Sequence, residues 1–559
     1  MNAALLLDHY ARIADAPDAI ARLRRFVLDL AVRGKLVEQD AGDEPASELL
    51  ERIGAEKARL IKEGQIKQDR PLPPIQAGDI SLQLPNGWAF CRLGDLAQLV
   101  TSGSRDWAKH YSNEGAIFIR MGNLCKDHYR LRLDHIQHVK APTDGEGTRT
   151  RLTAGDILIS ITGEVGMLGL IPENFGEAYI NQHTAMVRPI GLLGSRYLPE
   201  LFRSPFAQGQ FNEPQRGIKN SFRLTDITQF VVPLPPLAEQ HRIVAKVDEL
   251  MALCDQLEAA RAEREAARDT FTLSTLAKLN IPDPETFGED ARFALANLAP
   301  LTTRADQIKQ LRQTILNLAV RGKLVEQDAG DEPASELLRR LGVEASPERA
   351  NDANLKLPDG WKWVQVDDCF VVSGGMQKTP ARAPKQNAFP YLGVGNVYRG
   401  RLDLVNVKQF ELVAGELERF RLEFGDILVV EGNGSASEIG RCAVWGGEIE
   451  NCVHQNHIIR CRPKDMAMTP YSVLYLNSPD GMSEMTSLAI TSAGLFSLSV
   501  GKIRKIPMPL PPLAEQHRIV AKVDALMALC DQIETSLTTA EQTRSRLLEA
   551  VLHHALEPA

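Results

Sequence analysis

Apolar residues return at alternating steps of four and three from Ile243 through Val247, Leu250 and Cys254 to Leu257, and again from Ile519 through Val523, Leu526 and Cys530 to Ile533. This is the spacing of a coiled-coil seam, and it predicts two long helices. Pro235 and Pro236 stand just ahead of the first. Proline fits a helix only at its opening, where the missing N–H has no partner to lose, so each helix starts directly from the segment before it. If the first runs about 40 residues at roughly 1.5 Å each, it reaches on the order of 60 Å. Upstream, Ile20, Leu23, Val27 and Leu30 share a three-four spacing with Ile308, Leu311, Ile315 and Leu318, predicting two further helices that Arg33-Gly34 and Arg321-Gly322 break. Asp43 and Asp331 are expected to cap a second short helix, with Pro45 or Pro333 in its first turn. Residues 280–300, containing IPDPETFGED, read as a linker.

These helical segments are copies. LAVRGKLVEQDAGDEPASELL at 30–50 recurs unchanged at 318–338, and PLPPLAEQHRIVAKVDELMALCDQ at 233–256 recurs at 509–532 with Ala525 in place of Glu249. The regions between have drifted in sequence and length. The chain therefore divides into a helical repeat segment at 1–80, an insert at 81–235, a helix, linker and second helical repeat at 236–350, a second insert at 351–510 and a closing helix at 511–559.

The inserts have a strand texture, with Ala116-Ile-Phe-Ile-Arg120, Asp156-Ile-Leu-Ile-Ser-Ile161 and Asp426-Ile-Leu-Val-Val430 set between glycine-rich turns, which predicts two α/β (α+β) domains. Their landmarks correspond: Leu84-Pro-Asn-Gly-Trp88 with Leu357-Pro-Asp-Gly-Trp361, Gly122-Asn123 with Gly395-Asn396, and Gly155-Asp-Ile-Leu158 with Gly425-Asp-Ile-Leu428. Elsewhere they part, notably Ser104–Ile119 against Met376–Leu392. A helix leaving the first insert toward the second, paired with one leaving the second toward the first, makes an antiparallel coiled coil with pseudo-two-fold symmetry.

Composition adds limits. With 44% hydrophobic and 24% charged residues the chain has an ordinary globular make-up, and no apolar run reaches the roughly 18 residues a membrane helix needs. The opening MNAALLLDHYARIADAP lacks a basic leader, so a cytoplasmic location is expected. The eight cysteines include no CxxC pair and suggest no disulfide framework. A formal charge of −8 argues against indiscriminate nucleic-acid coating, which depends on neutralising phosphates, but leaves room for a local site.

The arrangement resembles the specificity (S) subunit of type I restriction-modification enzymes. PLPPLAEQHRIV, present twice, carries most of the likeness, with the LPxGW segments, the GDIL strands and Asn181-Gln182-His183 in support. The resemblance covers nearly the whole chain. It implies that each insert is a target recognition domain reading half of a split double-stranded DNA sequence, and that the helices form a spacer. It also implies partners: two methyltransferase subunits acting on adenine N6, and motor-nuclease subunits. S-adenosylmethionine would belong to the former and ATP with magnesium to the latter, leaving this chain no cofactor of its own.

Base edges are read by side chains in the grooves, while phosphate contacts set register. Arg suits guanine, and Asn or Gln suits adenine, through paired hydrogen bonds. In the first insert the residues of this type are Arg105, Lys109, Tyr111, Arg120, Lys126, Tyr129, Arg130 and Arg132, then Gln215, Arg216, Lys219, Asn220 and Arg223. In the second they are Gln377, Lys378, Arg382, Lys385, Gln386, Asn387, Arg399, Arg401, Asn433 and Lys502.

Two other patterns invite chemistry. Gly163-Glu-Val-Gly166-Met-Leu-Gly169 is GxxGxxG rather than GxGxxG and reads as a β-turn, not a nucleotide loop. Cys452, His454, His457 and Cys461 lack the tight pairs of a zinc site and read as a strand with buried cysteines. The sequence holds no GxxxxGK[ST] loop, and its two Leu-Pro-Pro-Leu segments lack the polar and aromatic residues of the Asp/Asn-Pro-Pro-aromatic motif of adenine methyltransferases. The expectation is a non-catalytic DNA-specificity subunit. The competing readings are a coiled-coil scaffold whose inserts bind proteins, and a single-chain nuclease or methyltransferase with unfamiliar motifs.

Overall fold

The computed structural model describes residues 13–68, 70–76, 78, 82–143, 145–212, 221–281, 283, 285–343, 357–433, 438–492 and 495–556. They gather into two compact units, residues 1–263 with 541–559, and residues 264–540. The two long helices are Leu237–Asn280 and Leu513–Leu556, of 44 residues each. Both open straight after the paired prolines. The first gives its opening to the first unit and its end to the second, and the other does the reverse.

Inside each unit the four-three stripe packs on the upstream repeat helix. In the first, Ile243 and Val247 share an apolar cluster with Phe26, Val27 and Leu30 of Ala19–Val32 and with Leu548 and Leu552, and Leu250 packs partly buried against it. Cys254 is buried, while Leu257 at the end of the stripe is exposed. In the second unit Ile519, Val523 and Cys530 join Ile308 and Ile315 of Ala305–Val320, with Leu526 and Ile533 against them. Arg24 reaches Asp255 at 2.6 Å and Glu258 at 2.7 Å, as Arg312 reaches Asp531 at 2.6 Å and Glu534 at 3.0 Å. Such partly exposed pairs add little stability but fix which turn meets which.

The verbatim repeats turn out to be the two halves of one latch. Glu239, buried at the start of its helix, accepts a hydrogen bond from Trp88 Nε1 at 2.9 Å and another from Gln39 Nε2 at 3.1 Å. Its copy Glu515 accepts from Trp361 Nε1 at 2.8 Å and Gln327 Nε2 at 2.9 Å. Gly34 and Gly322, both at φ +64°, end the upstream helices, and a Cβ there would meet the Cγ of Pro85 at 2.3 Å or of Pro358 at 2.4 Å. Thus VRGK, LPxGW and PLPPLAEQ lock together twice.

Two expectations need correcting here. Asp43 and Asp331 are not helix caps; each carboxylate takes a two-pronged contact from the long helix, Arg242 at 3.2 and 2.7 Å and Arg518 at 3.1 and 2.6 Å. Pro45 and Pro333 occupy the cap positions of Ala46–Lys62 and Ala334–Arg340. The first amide of each helix is satisfied by the LPxGW turn instead, Ala46 N donating to Gly87 O and Ala334 N to Gly360 O. A two-pronged bond to a fully charged guanidinium outweighs a bond to a backbone amide, so the carboxylates go to arginine. Nor is 280–300 a bare linker. It contains helices Phe287–Ala296 and Leu298–Leu301, because Ala294 and Leu301 bury against Leu276 and Leu279, with Phe287 and Ala291 packed on them.

Each insert leaves and rejoins the frame at one neck, where Ala89–Arg92 pairs antiparallel with Val231–Leu234, and Lys362–Gln365 with Pro507–Leu510. Beyond it a four-stranded antiparallel sheet has the same order in both units: Ala97–Ser102, Thr184–Pro189, Ile157–Ser160, Leu168–Leu170 in one, and Phe370–Gly374, Ile458–Pro463, Ile427–Val430, Cys442–Val444 in the other. The central GDIL strands are fully buried. Their aspartates are also buried, and each is forked by an arginine, Asp156 by Arg188 at 2.7 and 2.6 Å and Asp426 by Arg462 at 2.9 and 2.9 Å. A second sheet includes a parallel pair, Ala116–Ile119 with Ala178–Ile180 and Ala388–Leu392 with Val453–His454.

Glu239→Ala or Glu515→Ala leaves a buried indole N–H without an acceptor, while the Gln39 or Gln327 amide keeps its bond to Gly34 O or Gly322 O. Each is expected to lower stability by about 1–3 kcal/mol, read as a fall in thermal midpoint; a variant as stable as the parent would show that the latch contributes nothing.

Candidate nucleic-acid interface

Strand direction brings a specific set of loops to one end of each insert. In the first unit Ala97–Ser102, Ile157–Ser160, Ala116–Ile119 and Ala178–Ile180 all finish there, and Thr184–Pro189 begins there. Backbone bonds tie the loops together: Gly103 N to Asn181 O, Asn181 N to Ile119 O, Ile161 N to His183 O and Phe222 N to Ile161 O. In the second unit Met376 N donates to His454 O, Asn456 N to Met376 O, Glu431 N to His457 O and Leu498 N to Glu431 O. Gly103 and Gly375 permit the closest approach, since a Cβ would lie 2.2 Å from Ile180 O or 2.3 Å from Gln455 O.

This loop-bearing end collects part of the expected set. Arg105 and Arg223 are exposed on it, Arg120 is half-buried beside the Asn181 turn, and Lys126 pairs with Glu164 at 3.4 Å. Lys109 and Tyr111 continue from Arg105, exposed, with the Tyr111 ring 5.5 Å from that of Phe118. Arg130 stands apart, in a cleft with Tyr129, Arg188 and Arg196, where Tyr129 donates to Glu200 at 2.8 Å. Arg132 donates to Leu124 O at 2.9 Å. Gln215, Arg216, Lys219 and Asn220 lie outside the described residues.

In the second unit Gln377 and Lys378 are exposed on the loop equivalent to that of Arg105, and Lys385 and Gln386 are exposed further along it. Asn387 Nδ2 donates to Leu412 O at 2.7 Å. Arg382 is a clamp: both arms of its guanidinium grip Glu416, at 2.9 and 2.8 Å. Arg399 is half-buried and donates to Asn477 Oδ1 at 3.2 Å, burial holding it below the ordinary arginine range. Arg401 is exposed and sits 4.4 Å over the Tyr398 ring, whose centre is 5.5 Å from Arg441. Lys502 donates to Leu488 O. The backbone of Asn433 pairs with Phe496, while its side chain lies outside the described residues.

The same turns carry groups that residue type alone did not single out. His183 and Gln182 stand on the Asn181 turn, and His457 stands on its counterpart. Setting the GDIL and Arg-Pro landmarks side by side places His183 opposite His457, which was the available signal. The two chemical decoys resolve structurally. Gly163 and Gly166, at φ +74° and +83°, turn the hairpin between Ile157–Ser160 and Leu168–Leu170. His454 and Cys461 are buried in strands and Cys452 just ahead of one, His454 Nδ1 bonding to Ile458 O while burial pushes its pKa down to about 4. Each loop-bearing end thus offers exposed cations and amides on loops beyond a buried sheet, groups suited to phosphates and base edges. Among the described residues no helix is long and apolar enough to cross a membrane.

Comparison with known proteins agrees with this layout. The family described as "Type I restriction modification DNA specificity domain" matches residues 85–265 and 358–541, well over half of the chain. The type I restriction enzyme EcoAI specificity subunit of Escherichia coli is 28% identical over 578 aligned residues, spanning 96% of this chain and 94% of that one. The EcoEI specificity subunit, also from Escherichia coli, is 29% identical over 583, again spanning 96% and 94%. A solved chain described under "Structural basis underlying complex assembly and conformational transition of the type I R-M system" superposes with a TM-score of 0.50 at 19% identity, covering 85% of this chain and 98% of its own.

Arg382→Ala tests the clamp. Arg382 holds the Glu416 carboxyl at about 2 against an ordinary 4.5, so the clamp's contribution is complete above about pH 4.5 and lost as pH falls toward 2. The variant is expected to lose about 1–3 kcal/mol at neutral pH and to converge with the parent in acid, followed by thermal unfolding across pH; equal midpoints at pH 7 would contradict the assignment.

Proposed function

The chain belongs to the type I restriction-modification DNA specificity family, and on that premise we propose that the loop-bearing end of each unit reads one half of a bipartite duplex target. The observation that carries the reading is the duplicated geometry: one sheet order, one neck and one set of loop ends occur twice with different side chains at the tips. Equal scaffolds with unequal tips suit two half-sites of different sequence. Exposed Arg105, Lys109, Lys126 and Arg223 with half-buried Arg120 in one unit, and exposed Gln377, Lys378, Lys385, Gln386 and Arg401 in the other, are the proposed contacts. Each side chain contributes either a base contact or a phosphate contact.

The long helices set the spacer, since each starts in one unit and ends in the other. The repeated frame, alike in both units, is the proposed docking surface for two methyltransferase subunits, which methylate adenine N6 using S-adenosylmethionine. Motor-nuclease subunits with ATP and magnesium complete the assembly. This chain supplies address, and its partners supply chemistry.

Methylated adenines mapped in DNA treated with the chain and its methyltransferase subunits are expected to fall in one two-part motif. Adding four helical residues to both long helices, roughly 6 Å at about 1.5 Å per residue, lengthens the spacer by about two base pairs at ~3.4 Å each and leaves both half-sites unchanged. Altered half-sites, or an unaltered spacer with methylation retained, would contradict the proposal.

A further inference from the structure

Each loop-bearing end keeps an exposed histidine that divergence has spared. At equivalent positions Arg105 stands against Gln377, Arg120 against Gly393 and Thr162 against Gly432, yet His183 matches His457. Both backbone carbonyls accept the same bond, from Ile161 N at 3.0 Å and Glu431 N at 2.9 Å, and both side chains are exposed. The His457 side chain is 56% exposed. Core packing therefore does not account for the match, and a retained loop residue points to contact with a partner.

Different groups orient the two rings. His183 Nδ1 lies 2.6 Å from Thr162 Oγ1, and its Nε2 lies 3.0 Å from the side-chain nitrogen of Gln182. His457 Nδ1 lies 3.1 Å from Glu431 Oε2. A carboxylate only accepts, so Nδ1 carries the proton and donates, which leaves Nε2 as the nitrogen with no bond to the described residues. Around each ring stand the loops already described, with Arg105, Arg120 and Arg223 in one unit and Gln377 and Lys378 in the other.

Resting on the function proposed above, we infer that the turns bearing His183 and His457 each hydrogen-bond to duplex DNA, one in each half-site. His457 presents Nε2, oriented by Glu431; both His183 ring nitrogens are engaged, by Thr162 and Gln182, so there the ring holds the Gln182 amide, which presents its second N–H and its carbonyl. The recognised group is a polar atom of the duplex, on a base edge or a phosphate.

The test uses the full chain in complex with its methyltransferase subunits, carrying His183→Ala or His457→Ala, with competition binding and methylation mapped on a randomised duplex library. A base-edge contact predicts about tenfold weaker discrimination at one base pair of one half-site, a different half-site for each variant. A phosphate contact predicts weaker binding to all sequences alike, with a shallower salt dependence. Glutamine variants, which keep a hydrogen-bonding side chain, are expected to retain part of the effect, and unchanged melting of the complex separates contact from misfolding. Affinity and discrimination equal to the parent in both alanine variants, with the parent complex itself selective, would overturn the inference and leave the function standing. A parent complex with no sequence selectivity would overturn the function itself.

Discussion

A buried carboxylate that must be matched on two sides is the constraint from which the rest of this fold follows. Glu239 and Glu515 are each about 1% exposed, and burial pushes the Glu239 carboxyl above its ordinary range. Such a group is tolerable only while its donors stay in place. The donors come from the other repeat segment and from the LPxGW turn, Gln39 with Trp88 and Gln327 with Trp361. Changing either side alone strands the other. That coupling gives a physical reason why the two repeat segments and the LPxGW turn have stayed nearly alike while most of the sequence between them moved.

The latch also frees the inserts. Each is pinned at its neck by a short strand pair, and Tyr197 and Tyr471 anchor that neck by donating to Pro233 O at 2.7 Å and Pro509 O at 2.9 Å. Inside, the forked pairs Asp156–Arg188 and Asp426–Arg462 hold the central strands. What lies beyond them, the tips after Ser102, Ile119, Ser160 and Ile180 and their counterparts, has no such duty and differs widely, apart from the Gly-Asn turns and the matched His183 and His457. A stable frame with variable tips is what a reader of changing addresses requires.

Much of the frame was legible from spacing. The proline openings and the glycine breaks follow from backbone geometry that few residues satisfy; the four-three stripe marked the long helices, but it packs on the upstream repeat helices and leaves Leu257 exposed. Asp43 and Asp331 were misread because a cap and an ion-pair partner look alike until a distant arginine is placed, and Arg242 lies 199 residues from Asp43. The helix Phe287–Ala296 was hidden by the Pro-rich run ahead of it. At the tips, residue type marked Arg382 and Arg105 equally. Only the position of Glu416 separates a clamp from an exposed cation, and that pairing is tertiary. His183 and His457 entered the sequence reading only as part of a family landmark and of an apparent metal cluster, for a related reason: histidine is at home in cores, metal sites and surfaces, so only its place on the loop-bearing end gives it meaning.

The account reduces to one claim, that identical frames carry independent readers. It is tested most directly by replacing the first insert, from neck strand to neck strand, with a second copy of the other, and mapping the adenines methylated by the resulting complex. Two identical frames holding two identical inserts should give a symmetric target, the second half-site repeated in inverted orientation. Methylation of the original asymmetric motif, or of a motif unrelated to either half, would contradict it.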